Sequence, residues 1–410
     1  MVKIMYKIRT LPCGIKCICE KIDYVRTVSV GVRVAAGTRT ESEEFWGISH
    51  FIEHMLFKGT ETRSAREIAE FTDNFGAQLN AFTARDNTCF YIKAIDEHFE
   101  KCFEILSDML LCSTFEKENI EKEQGVVLEE ISMYEDTPEE LLYDTLDEIC
   151  FSGQPIGRNI LGCEESLMSF DKTKILKYMK LLYCADNIVI SAAGNFDEEE
   201  FFELAEKYFG KIKNLIAKPP VSGIPFYTSN KKNCIKDIEQ THIGIAFPGI
   251  GDTHEDVYAM NVVNNVLGGG MSSRLYQRIR EELGLAYAVD SACTYYADCG
   301  ITSVYAAVSP ANEEKTYEEI LKEIKKLKKG IRPEEIRRAA EQVKSACVLA
   351  SEGVGGRMSG MSKQLLLNGK IQTDEEYLEK INSVSESDIS RIAENYFDLE
   401  KISVAIVKPE

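Results

Sequence analysis

One order of elements runs twice along this 410-residue chain, and that repetition constrains the fold more than any other feature. In the first half, residues 27–35 (Thr-Val-Ser-Val-Gly-Val-Arg-Val-Ala) put Val28, Val30, Val32 and Val34 on one face, the period-2 pattern of a strand. Residues 43–58 change to helical spacing. Residues 64–75 predict a helix with Ser64 as N-cap and Glu67 three positions on, the pair of a capping box. Residues 77–95 return to strands, 98–112 and 116–135 predict helices, 187–194 a strand, and Asp197 opens another helix. The second half repeats the series as strand 241–248, helix 256–267, strands 286–309, helices 312–329 and 333–350, and strand 401–407. Between them, residues 210–236 gather Lys211, Lys213, Lys218, Pro219, Pro220, Gly223 and Pro225, a linker composition. The predicted class is α+β: two homologous α/β-sandwich repeats, each an antiparallel-rich sheet covered by helices, divided as 1–218 and 219–410.

Composition narrows the function. The balance of 48 basic against 67 acidic residues gives a net charge of −19. A nucleic-acid surface or a polybasic membrane anchor needs the opposite sign, so neither nucleic acid nor membrane is an expected partner. The 13 cysteines are odd in number and contain no Cys-x-x-Cys pair, which fits a reducing compartment. The first residues lack an apolar signal core, and no apolar run approaches the roughly 18 residues that span a bilayer. The expected location is the cytoplasm.

Chemistry concentrates in one short segment. Only five histidines occur, and two of them fall in His50-Phe51-Ile52-Glu53-His54. This is the inverted zinc spacing H-x-x-E-H. Positions i and i+4 lie about 40° apart around a helix, so both imidazoles reach one ion. Glu53 lies on the same side, where a carboxylate can act as general base toward water. Zinc in a catalytic site needs a third protein ligand. On the helix 116–135, Glu123 and Glu130 fall within an apolar stripe with Val126, Val127, Ile131 and Tyr134, and Glu129 lies at its edge. Carboxylates on a buried face require a cation. That cation is a metal ion or, equally compatible with the spacing, a lysine or arginine for each.

From His50 the chain continues His-Phe-Ile-Glu-His-Met-Leu-Phe-Lys-Gly-Thr, and residues 122–131 read Lys-Glu-Gln-Gly-Val-Val-Leu-Glu-Glu-Ile. With Leu79-Asn-Ala-Phe-Thr83, the segment Ser273–Tyr287 and the duplicated halves, the whole chain resembles the pitrilysin/insulinase superfamily of inverted zinc metallopeptidases, in its bacterial mitochondrial-processing-peptidase-like branch. The resemblance implies a clamshell-type metallopeptidase fold with one Zn2+ per chain, bound by His50, His54 and Glu130. It implies Glu53 as catalytic base and Glu123 as a supporting acid that does not bind metal. Asn80, Ala81 and Phe82 match the edge strand that pairs with an extended peptide, and Arg280 and Tyr287 match second-half residues that reach the substrate. In the family the Tyr287 position helps to stabilise the tetrahedral intermediate.

The implied function is a zinc-dependent endopeptidase acting on peptides or extended, unfolded segments. Two other readings remain: a non-catalytic assembly or recognition subunit, and a dedicated peptide-maturation protease for a cofactor precursor. Because longer superfamily members carry four repeats, two repeats with one site further imply a homodimer.

The second half carries a decayed copy of the motif. Asn261-Val-Val-Asn264-Asn265 stands where His50–His54 stands in the first, Glu341-Gln342 matches Glu123-Gln124, and Val348 replaces Glu130. Other signals predict ordinary structure. Gly268–Gly270 lacks the Gly-Lys-Ser/Thr of a P-loop, and it and Gly353–Gly356 read as flexible turns. The lysines of 315–329 alternate with glutamates as a solvated helix face, and Cys13, Cys17 and Cys19 read as packing.

Overall fold

The computed structural model describes residues 6–214 and 223–410. The predicted boundary at 218/219 and the linker residues 215–222 lie outside the described residues. Strands β1 (Lys7–Thr10), β2 (Lys16–Lys21), β3 (Thr27–Val34), β4 (Gln78–Thr83), β5 (Thr88–Ile95) and β6 (Ile188–Gly194) belong to the first half of the chain. They alternate with helices α1 (Ile48–Met55), α2 (Ala65–Asp73), α3 (Phe99–Cys112), α4 (Lys117–Asp136), α5 (Pro138–Cys150), α6 (Glu164–Met168), α7 (Lys172–Leu182) and α8 (Glu198–Phe209). The second half holds β7 (Lys231–Ile235), β8 (Thr241–Pro248), β9 (Ala286–Tyr295), β10 (Gly300–Val308) and β11 (Ser403–Lys408). Its helices are α9 (Val257–Gly268), α10 (Glu313–Lys328), α11 (Pro333–Ser351), α12 (Val354–Lys363), α13 (Asp374–Asn382) and α14 (Glu386–Tyr396).

The strands form two sheets, ordered β1-β2-β6-β3-β5-β4 and β7-β11-β8-β10-β9. From β2 and from β7 onward the two orders correspond strand for strand. In each, the first pair (β2/β6, β7/β11) is parallel and the rest are antiparallel. The fold is thus the α/β arrangement that the repeated element order predicts.

Two compact units result, and each is discontinuous in sequence. Unit 1 comprises Met1–Glu130, Ile160–Ser222 and Leu349–Thr373; unit 2 comprises Ile131–Asn159, Gly223–Val348 and Asp374–Glu410. Helix α5, from the first half, therefore packs in unit 2, where Leu142, Leu146 and Ile149 meet Ala246, Ala405 and Val407. Helix α12, from the second half, packs in unit 1, where Val354, Met358 and Met361 meet Ile18, Val189 and Ala193. This covers the face of β3 that its sequence pattern leaves polar. Ser29, Gly31 and Arg33 are buried as completely as Val28, Val30 and Val32. The Gly353–Gly356 run, expected to be a flexible turn, instead supplies the N-cap and first turn of α12. On the sheet side it is Gly31 of β3 that lets the helix lie close: a Cβ there would sit 2.3 Å from the Met358 sulfur.

Two local features position the first-half motif. Helix α1 buries Ile48, Phe51, Ile52 and Met55, which turns Glu53 and His54 to the less buried side. Its N-terminus is capped by the Glu41 carboxylate, which accepts from Gly47 N at 2.8 Å and from Ser49 N at 2.9 Å. Those amides lack intrahelical partners, and a buried carboxylate there also complements the helix dipole. Helix α2 starts as expected, with Ser64 and Glu67 in a reciprocal capping box.

Candidate zinc site

Helices α1 and α4 bring the metal-ligating candidates together. Glu130 Oε2 lies 3.7 Å from His50 Nε2 and 3.5 Å from His54 Nε2. Ligand atoms of His50, His54 and Glu130 all fall within 4.8 Å of one another, and this is the one such group among the described residues. The spacing tests the fit of a metal. Separations of 3.5 and 3.7 Å are long for hydrogen bonds, yet near the edge of a tetrahedron whose ligands sit about 2.0–2.1 Å from zinc, which is about 3.3 Å. Two imidazole nitrogens and one carboxylate oxygen form a donor set that zinc accepts. The residues fit the ion.

The electrostatics of His50 suit that donor set. Burial, with a smaller effect of His54, lowers the His50 pKa to about 3, so its ring is neutral and keeps a lone pair. His54 Nδ1 donates to Glu123 Oε1 at 2.7 Å, which fixes the tautomer and leaves Nε2 free to face Glu130. Burial of His54 works against its charged form, but the hydrogen bond to Glu123 and the charge of Glu130 outweigh it and raise its pKa. Burial raises the Glu130 pKa.

Glu123 takes a different place. Its other oxygen meets Lys58 Nζ at 2.7 Å, and these hydrogen bonds outweigh burial to hold its pKa below the usual carboxylate range. Glu123 thus has a lysine, while Glu130 has only the two imidazoles as ion partners among the described residues. The predicted apolar stripe of α4 is narrower than its helical wheel. Ile120, Glu123, Gln124 and Val127 are buried, whereas Val126 is 50% exposed and Glu130 is half-buried.

Glu53 lies one residue before His54, and its Oε2 accepts from the Thr83 hydroxyl at 2.5 Å. Burial outweighs that bond and raises the Glu53 pKa, the direction that suits a proton acceptor working near neutrality. Thr83 ends β4, the edge strand that carries Asn80, Ala81 and Phe82. Asn80 and Phe82 are exposed there, Ala81 is half-buried, and the Asn80 side chain accepts from Ala81 N at 2.8 Å. Arg280 and Tyr287 meet each other in unit 2. Arg280 Nη1 donates to Tyr287 O at 2.7 Å, its guanidinium lies 4.4 Å from the Tyr287 ring centre, and the tyrosine remains 78% exposed.

The structure adds three residues that sequence reasoning left without roles. Thr83 and Lys58 lie inside the motifs quoted above, where their spacing gave a signal but no partner. Glu41 gave none, because it reaches α1 across a loop. Lys58 is itself anchored, since Asn119 Nδ2 of α4 donates to its carbonyl at 3.0 Å. Removing a group that orients a metal ligand typically weakens the metal by about 10–100-fold. Lys58→Met is expected to lose zinc affinity in that range in a chelator competition, with Lys58→Arg recovering part. Unchanged affinity in Lys58→Met would separate Lys58 from the site.

The degenerate copy on α9 is a hydrogen-bonded patch. Asn261 donates to Tyr377 OH at 3.0 Å and accepts from Tyr295 OH at 2.7 Å, and Asn264 donates to Ser291 O at 3.2 Å.

Comparison with known proteins identifies the class. The sequence model of the insulinase family (peptidase family M16) matches residues 16–164, and that of the peptidase M16 inactive domain matches residues 169–343. The chain belongs to the insulinase family, peptidase family M16. An uncharacterized zinc protease of Bacillus subtilis is 39% identical over 408 residues, covering 99% of this chain and 98% of that protein. Another, from Rickettsia felis, is 35% identical over 398 residues, covering 96% and 95%. A protease from Helicobacter pylori shares the fold, with a TM-score of 0.92 at 23% identity over 99% of this chain and 100% of that one. Among the described residues, no helix is long and apolar enough to cross a membrane.

Proposed function

We propose that this chain is a zinc-dependent endopeptidase that cuts peptides and extended, unfolded segments. The observation that carries the reading is the convergence of His50, His54 and Glu130 beside a Glu53 carboxylate held by Thr83. One zinc ion per chain, held by those three residues, supplies Lewis acidity toward a carbonyl and toward water. Glu53 takes the proton from the attacking water on a carboxylate oxygen and passes it to the nitrogen of the departing amine. Thr83 keeps that carboxylate aimed, and Glu123 with Lys58 keeps the His54 ring aimed. The open edge of β4, at Asn80, Ala81 and Phe82, binds the substrate as an added strand through its backbone, which recognises extended chains of varied sequence. Arg280 and Tyr287 contribute donors to the substrate, Tyr287 toward the oxyanion.

A peptide library incubated with the pure protein and read by mass spectrometry tests this. Cleavage that disappears with chelator and returns with zinc is the expected result. A compact, disulfide-linked globular protein should be spared. Intact peptides in the presence of bound zinc would favour the non-catalytic recognition role instead.

The proposal includes a homodimer as the working form, because a closed chamber excludes water and strengthens the electrostatics around the metal. Light scattering and specific activity over a dilution series should fall together. A monomer of undiminished specific activity would remove the dimer and leave the zinc chemistry standing.

A further inference from the structure

Arg33 is a fully buried cation without an acidic partner among the described residues. It sits on β3 at 2% exposure. Its acceptors are all neutral: Nε donates to Ser362 Oγ at 2.9 Å, Nη2 to Ser359 Oγ at 2.7 Å and Ser359 O at 3.2 Å, and Nη1 to Asn87 Oδ1. The guanidinium also lies 5.2 Å from the centre of the Phe82 ring. Strand register explains the contact. Arg33 stands opposite Cys89, and Cys89 opposite Phe82, so the three side chains form a row across β3, β5 and β4 on one face of the sheet. Helix α12 packs on this face, fixed there by Met358 over Gly31 and by the pairing of Arg357 with Glu20 at 2.5 Å.

A buried guanidinium that meets only neutral acceptors is costly, and an apolar side chain of similar volume would fill the space without that cost. What the guanidinium offers is a rigid planar fork whose donors and ring face act in different directions at once. Here one side grips the two α12 serines. The other side holds Asn87, in the turn between β4 and β5, and Phe82, in the edge strand.

We propose that Arg33 is a positioning residue that braces the edge strand β4 against helix α12, keeping its open side in register for an added peptide strand. The link to peptide binding rests on the function proposed above; the brace itself does not.

Arg33→Met and Arg33→Lys test it, with Ser359→Ala/Ser362→Ala as a milder pair should Arg33→Met not fold. Hydrogen exchange across residues 78–87 reads the brace whether or not any peptide is cut. In Arg33→Met it is expected to quicken about tenfold or more, while residues 48–55 keep their protection and zinc content is unchanged. KM for an extended peptide should rise about tenfold with kcat within about twofold, the pattern of lost binding without lost chemistry. Arg33→Lys, a point charge without the fork, should fall short of restoring either value, and the serine pair should move both in the same direction by less. Wild-type exchange over 78–87 in folded Arg33→Met, or in the serine pair if that variant fails, overturns the brace. Faster exchange with an unchanged KM overturns its link to the substrate. A wild-type protein that cuts nothing would sink the peptidase reading, and the exchange result would still decide the brace.

Discussion

Glu53→Gln is expected to keep one zinc per chain and to lose about 10²–10⁴-fold in kcat, the usual range for removal of a general base. The amide is nearly isosteric with the carboxylate, so α1 should hold its shape. Thr83 can still donate to the amide oxygen, so the side chain should stay in place as well. What disappears is the basic oxygen. Glu53 lies beside the group formed by His50, His54 and Glu130 without being part of it. Metal analysis together with turnover therefore separates the roles. Zinc lost along with activity would instead make Glu53 a ligand.

The second large effect is on the metal itself. His54→Ala and Glu130→Gln each remove one of three donors, and both are expected to lower zinc occupancy well beyond the roughly 100-fold affinity loss typical of an orienting group. Peptide cleavage should fall to the level of the chelated wild-type protein. His54→Ala has a further consequence, since Glu123 would lose the imidazole that accompanies Lys58 in its pairing. That variant should also be less stable by about 1–3 kcal/mol, the size of a hydrogen bond lost to a charged group. Glu130→Gln leaves the Glu123 pairings in place, so its melting temperature in chelator should stay near that of the wild type. Full zinc content in both variants would show that the ligands are misassigned.

Much of this site was legible because it is local. The spacing of His50, Glu53 and His54 places three side chains on one side of a helix whatever surrounds it. Period-2 and helical patterns likewise located β3–β6, β8–β11, α1–α4 and α8–α11, since an element that buries one face records that face in its own residues, whereas β1, β2, β7, α5–α7 and α12–α14 were not among the elements they marked. Ser64 and Glu67 show the same for a helix start.

Contacts between distant segments left no such record. No pattern near residue 33 announces that Ser359 and Ser362 will accept from Arg33, or that Lys58 will share Glu123 with His54. The sequence by itself determined the duplicated element order, the helical pairing of His50 with His54 and the acidic face of α4. Only the tertiary structure decided that α12 joins the first unit and α5 the second, that the polar face of β3 is buried, and that Lys58 pairs with Glu123 beside His54. The physical reason is that periodicity reports how an element meets its surroundings, whereas the partner across the gap is fixed by packing and by the need to satisfy each buried charge.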